Sequence, residues 1–123
     1  MTETFLTLDI GVTTGWAVFR DRALFDYSQT IDIGTTLPLL LSTYNPDIVI
    51  AERPLIYRGK LGDTLQKIVA IVQYFLEGGK RTIIYIDPAM WKDSLARRIT
   101  CPKGTSQHEK DAIRIGHWYM KYQ

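Results

Sequence analysis

Three carboxylates and a histidine, carried by three separated parts of a 123-residue chain, are the residue types that bind divalent cations. Asp9 closes the run Thr4-Phe5-Leu6-Thr7-Leu8-Asp9-Ile10 just before Gly11, and Glu52 follows the apolar run Ile48-Val49-Ile50-Ala51. His108, Asp111, Ile115 and Trp118 have the spacing that puts side chains on one stripe of a helix. A helix packed through Ile115 and Trp118 projects His108 and Asp111 beyond the packed region, while Glu109 points elsewhere. Gathered without cations, such acids repel by on the order of 1 to 4 kcal/mol per pair at contact distance. A divalent ion removes that repulsion, and oxygen ligands with one imidazole suit Mg²⁺ or Mn²⁺ better than zinc. Two ions roughly 3.5 to 4 Å apart are suited to phosphodiester cleavage, one activating water and the other stabilising the leaving oxygen. Each residue alone has a plainer reading: Asp9 as a turn residue, Glu52 as a surface partner of Arg53, His108 as a cap or a solvated side chain. Convergence from three segments is what favours the metal.

The acids need a scaffold. Thr4 to Ile10 and Trp16 to Phe19 read as a β-hairpin around Gly11 to Gly15, and Ala23 to Ile33 as a third antiparallel strand closed by Gly34. Pro38 to Tyr44 reads as a short helix with proline in its first turn. Ile48 to Ala51 and Thr82 to Ile86 read as buried parallel strands. Between them lies a helix capped by Asp63 or Thr64, running to Leu76 and ended by Gly78-Gly79. Pro88 to Arg97 reads as a helix, Thr100 to Ser106 as a loop and His108 to Tyr119 as a final amphipathic helix. The order β-β-β-α-β-α-β-α-α predicts an α/β fold, a five-stranded mixed sheet of an antiparallel meander plus two parallel strands, flanked by helices. Asp9 and Glu52 then both stand at strand exits, where sites form in open sheets.

The length suits one compact domain spanning residues 1–123 and is too small for two that each bury a core. Hydrophobic residues at 46% and charged residues at 23% exclude a disordered or membrane-embedded chain. Met1-Thr2-Glu3-Thr4 lacks the basic start of a signal peptide, and the single Cys101 rules out an internal disulfide and a cysteine-based zinc site. The expectation is a cytoplasmic protein with no membrane partner. The net charge of +2 conceals an asymmetry: residues 1–56 hold three basic against seven acidic side chains, a net of −4, and residues 57–123 hold twelve against six, a net of +6. A basic second half suits a polyanionic partner, and equally a surface kept soluble by cations.

Leu8-Asp9-Ile10-Gly11 with Thr14-Gly15-Trp16-Ala17-Val18 resembles the opening motif of the RuvC-type Holliday-junction resolvases, within the ribonuclease H-like superfamily. The loop here is one residue shorter. Ile50-Ala51-Glu52 is similar to that family's second acidic motif, and His108-Glu109-Lys110-Asp111-Ala112 resembles its closing helix. The resemblance spans most of the chain and implies Asp9, Glu52 and Asp111 as catalytic metal ligands, with His108 as fourth ligand or water-orienting group. It also implies a homodimeric endonuclease, using Mg²⁺ or Mn²⁺, that nicks four-way DNA junctions and leaves 5′-phosphates. The chain is shorter than typical bacterial members and Ile99 to Gln107 is compressed, a likeness to compact viral members that would act in a host cytoplasm.

Tyr57-Arg58-Gly59-Lys60, between Glu52 and the next helix, combines two cations with an aromatic, and in the family this region approaches the junction core. The helix start at Gly62 to Thr64 offers amides to a phosphate. Lys92, Arg97, Arg98, Lys103 and Lys110 are candidates for tracking the DNA backbone as a group. The helix containing Leu65, Ile68, Val69, Ile71, Val72, Tyr74, Phe75 and Leu76 has an apolar surface wider than one stripe, which suggests a subunit interface. Three rival readings stand: a nuclease of the same fold acting on RNA, flaps or forks; an ATP-binding actin- or sugar-kinase-like module, since Asp9-Ile10-Gly11-Val12-Thr13 also resembles that superfamily's first phosphate loop; and a non-catalytic junction-binding protein.

Overall fold

The structure is a computed structural model that describes residues 3–53, 62–92 and 95–122, without the side chains of Leu95 and Arg97. Strands β1 (Thr4–Asp9), β2 (Thr14–Arg20) and β3 (Ala23–Thr30) form the antiparallel meander, and β4 (Ile48–Glu52) and β5 (Thr82–Ile86) are parallel to β1. The order across the sheet is β3-β2-β1-β4-β5. β1 is therefore central, with an antiparallel neighbour on one side and a parallel one on the other.

Strand alternation sorts the side chains onto two faces. Leu6, Leu8, Val18, Val49 and Ala51 pack beneath helices α1 (Ile33–Tyr44) and α2 (Asp63–Glu77). Phe5, Ala17, Phe19, Ile50 and Ile86 pack beneath α3 (Pro88–Lys92), a 3-10 turn (Leu95–Arg98) and α4 (Gln107–Tyr122). Both faces are covered, which is why β4 reads as a continuous apolar run.

Several boundaries differ from those read in the sequence. The third strand ends at Thr30, and α1 begins at Ile33 instead of Pro38, because Asp32 accepts a hydrogen bond from the Thr35 amide and caps the helix early. Gly34 and Pro38 consequently lie inside α1. Neither Asp63 nor Thr64 caps α2: the N-cap is Gly62, which has no side chain to bond an amide, so the chain turns into the helix one residue before the first candidate. The span Pro88 to Arg97 is divided into α3 and the 3-10 turn, with residues 93 and 94 outside the described set.

Helix α4 approaches the sheet closely. A Cβ on Gly15 would lie 2.0 Å from the His108 carbonyl oxygen, and one on Gly116 2.1 Å from the Phe19 ring. Between these points the buried Thr7 hydroxyl donates to the Ala112 carbonyl at 2.6 Å. Beyond them, the β2–β3 turn holds Asp21 and Arg22 at φ 54° and 64°, and Arg22 donates to the Met120 carbonyl at 2.8 Å.

Much of the breadth of α2 is accounted for by this packing. Val72 and Leu76 are buried, and Ile68, Val69 and Phe75 lie partly against the core, leaving Ile71 (36% exposed) and Tyr74 (76%) facing outward.

Because the contact at Gly15 is with backbone, which cannot swing aside, Gly15→Ala is expected to destabilise the protein by about 3 kcal/mol. Denaturant unfolding measures this; a loss below about 1 kcal/mol would show that α4 does not sit this close.

Candidate active site

The register of β1 against β4 pairs Asp9 with Glu52, and Asp9 lies opposite Gly15 on β2. Asp9 shares the parity of Phe5 and Thr7, and Glu52 that of Ile48 and Ile50, so both carboxylates belong to the face covered by α4. There the close approach at Gly15 delivers the first turn of α4. His108 Nδ1 is 3.6 Å from Asp9 Oδ2, with the imidazole 47% exposed and the Asp9 side chain 15%. Asp111, one turn on, is half-buried and accepts from Gln107 Nε2 at 2.8 Å. Glu52, 6% exposed, accepts a hydrogen bond from the indole Nε1 of Trp91.

The structure does not give Asp9 the turn, Glu52 a pair with Arg53 or His108 the helix cap, while the His108 side chain does remain exposed. The turn after β1 is closed by Thr14, whose hydroxyl donates to the Gly11 carbonyl at 2.9 Å, and not by Asp9. Glu52 is buried, while Arg53 places its guanidinium over the Tyr85 ring at 5.0 Å. The cap of α4 is a reciprocal pair in which Glu109 accepts from the Ser106 amide at 2.9 Å and the Ser106 hydroxyl accepts from the Glu109 amide at 3.2 Å. Glu109 is thereby taken out of the site, and His108 is left beside Asp9.

Burial pushes the Asp9 carboxyl up to about 7; the Asp111 charge adds to the rise and Lys92 opposes it. Burial likewise pushes Glu52 up to about 7, where the Trp91 hydrogen bond and Lys92 lower it and Asp9 and Asp111 raise it. The three acids therefore feel one another at the C-terminal end of the two central strands. Among the described residues no three His, Cys, Asp or Glu side chains enclose a common point at ligand spacing as they stand, with Asp111 engaged by Gln107 and Glu52 by Trp91. The donor set nevertheless fits a hard divalent cation: it is rich in carboxylate oxygen, and its two most buried members are held adjacent with no lysine or arginine ion pair among the described residues.

Beside the acids opens a cleft of about 380 Å³ lined by Trp91, Lys92, Arg98, Asp111 and Arg114. It brings Lys92 and Arg98 together as candidates for phosphate contact. Lys103 is exposed on the loop before α4 and Lys110 is half-buried on its first turn, and neither lines the cleft. Thr64 is exposed in the first turn of α2, on the helix layer that covers the opposite face of the sheet. Arg97 lies in the 3-10 turn with its side chain outside the described set, and Tyr57, Arg58 and Lys60 fall outside the described residues altogether.

Sequence reasoning missed Trp91, Arg114 and Gln107. Arg114 and Gln107 stand three residues after and four before Asp111, a spacing that signals shared helix surface. Trp91 has no such local signal, because its partner is 39 residues away across the sheet.

A mixed five-stranded sheet in this order, with helices on both faces and acids at the ends of β1 and β4, is the ribonuclease H-like fold. Among solved structures the chain is similar to RuvC of Thermus thermophilus, with a TM-score of 0.73 and 15% identity over 96% of this chain and 95% of that one. It is also similar to Thermus thermophilus RuvC in complex with a Holliday junction substrate (TM-score 0.67, 17% identity, 97% and 95% covered). The resolvase of fowlpox virus, solved with its substrate Holliday junction DNA, matches with a TM-score of 0.62 and 16% identity over 97% of this chain and 99% of that one. No protein-family model and no curated protein sequence matches the chain. At these identities the likeness is one of fold. No helix of the described residues is long and apolar enough to cross a membrane.

The raised carboxyls fix the sign of a pH dependence. Free Asp and Glu titrate near 3.8 and 4.5, whereas Asp9 and Glu52 in the fold titrate near 7. Between these values the folded protein holds more protons than the unfolded chain, so the stability of ion-free protein falls as pH rises from about 4 to about 7. The Tm of protein kept in EDTA is expected to decline across that window, and Asp9→Asn to reduce the decline; an equal slope in the variant would contradict the assignment.

Proposed function

We propose that this chain is a divalent-metal-dependent endonuclease that nicks branched DNA and resolves four-way junctions by paired phosphodiester hydrolysis. The observation that carries the reading is the pairing of Asp9 with Glu52 on adjacent parallel strands, on the face where α4 adds Asp111 and His108. Bound Mg²⁺ or Mn²⁺, two ions per site, would supply an activated water and charge stabilisation at the leaving oxygen. Asp9, Glu52 and Asp111 would hold them, with His108, beside Asp9, as fourth ligand or water-orienting group. Lys92, Arg98 and Arg114 bind backbone phosphates along the cleft and bring the scissile strand to the acids. Branched DNA is the favoured substrate because two of the structures that the chain resembles were solved with Holliday junctions.

Cutting both strands of a junction symmetrically calls for two active sites. A homodimer through the outward face of α2, where Tyr74 and Ile71 are exposed, would provide them. Light scattering at micromolar concentration is expected to give twice the 14.1 kDa chain mass, and Tyr74→Glu to give the monomer; a monomeric wild-type protein removes the dimer from the proposal.

The central test is cleavage of a mobile four-way junction in Mg²⁺, Mn²⁺ or EDTA, beside labelled flap, fork, hairpin and RNA–DNA hybrid substrates. Cutting is expected with either ion and not with EDTA. Asp9→Asn should lower the rate on the order of 10²-fold or more with junction affinity largely unchanged. A variant that cuts normally overturns the catalytic assignment, and preference for another substrate redirects it.

A further inference from the structure

Glu52 is the most deeply buried of the four site residues, and its hydrogen bond comes from an unusual donor. Trp91, at the C-terminal end of α3, is 1% exposed and packs among Ile50, Ile86 and Ile113. Its indole Nε1 donates to Glu52 Oε2. We infer that Trp91 is a positioning residue that fixes the Glu52 carboxylate for cation binding, an inference that rests on the metal-dependent reading above.

The chemistry of the indole suits this task. It has one N–H, so it engages one carboxylate oxygen and leaves the other with its lone pairs for a cation. It has no acceptor lone pair, so it does not compete as a ligand as a histidine or glutamine would, and it does not titrate near neutrality as a histidine would. Its large apolar body anchors the donor in the core, so the carboxylate is held by packing on α3 and not by a mobile surface side chain. Trp91 lies at the back of the cleft that Asp111, Lys92, Arg98 and Arg114 line, and at 1% exposure it presents almost no surface of its own to a ligand there. Partners of this outer kind orient metal ligands, and their loss commonly weakens metal affinity by about 10- to 100-fold.

The test is Mn²⁺ titration by calorimetry, without DNA, on wild-type protein, on Trp91→Phe, and on protein carrying β-(3-benzothienyl)alanine at position 91, which keeps the bicyclic shape and replaces the N–H by sulfur. Both replacements are expected to bind Mn²⁺ about tenfold more weakly. The isostere should do so with a Tm close to wild type, which separates the lost donor from lost packing. In cleavage assays the Mn²⁺ concentration for half-maximal rate should rise by the same factor while junction affinity in EDTA stays unchanged. Wild-type Mn²⁺ affinity in the folded isostere overturns the role of Trp91 and leaves the metal-dependent reading standing. No Mn²⁺ binding by the wild-type protein overturns both.

Discussion

Helix α4 can lie against β1 and β2 only because two positions along the seam carry no side chain. At Gly15 a methyl group would occupy the space of the His108 carbonyl, and at Gly116 that of the Phe19 ring. The closeness has a direct electrostatic result, since it brings the first turn of α4 to the C-terminal ends of β1 and β4. A helix a few ångströms further out would leave Asp9 and Glu52 as an isolated pair and His108 in open solvent. The buried Thr7 hydroxyl, bonded to the Ala112 carbonyl, holds the same seam from the sheet side.

What this packing creates is a polar site with an apolar surround. Asp9 and Glu52 are desolvated by the layers that hold them, and this burial, with repulsion from neighbouring carboxylates added to it, delays their ionisation to about pH 7. Lys92 opposes that repulsion from the rim without forming an ion pair with either acid among the described residues. The fold thus stores a need for positive charge in one place, and the neighbouring cleft with Lys92, Arg98 and Arg114 makes the approach to it cationic.

The sheet and the placement of its acids were legible in the sequence because both depend on short-range periodicity. Asp9 and Glu52 each follow a strand whose alternation is clear, and parallel pairing of β1 with β4 makes them neighbours. The stripe of His108, Asp111, Ile115 and Trp118 was legible for the same reason, Ile115 and Trp118 being buried. The failures came where a local signal was ambiguous. Ile31 and Ile33 continue the alternation of β3, so the cap at Asp32 was hidden inside an apparent strand, and Pro38 then drew the helix start five residues late. How much of the broad apolar surface of α2 is covered by α1 and the sheet, and how much is left to Ile71 and Tyr74, was hidden because it is a tertiary property. Trp91 was invisible as a site residue for a similar reason: in a five-residue helix a tryptophan reads as core, and only closure of the fold gives its N–H a partner.

Helix α4 is tied to the sheet along its whole length. The Ser106 hydroxyl bonds Gln29 at 2.6 Å, Thr7 grips Ala112, Phe19 meets Gly116, and Arg22 reaches the Met120 carbonyl from a left-handed turn. Its residues are therefore counted off against fixed marks, like a scale read against a ruler. One residue inserted between Asp111 and Gly116 would turn the acid by about 100° and shift it by about 1.5 Å, and no marker could move to follow. Four would nearly restore the angle but displace the acid by about 6 Å. Length variation that keeps the acid in register with the sheet therefore has to fall outside α4, as in the segment that precedes Ser106.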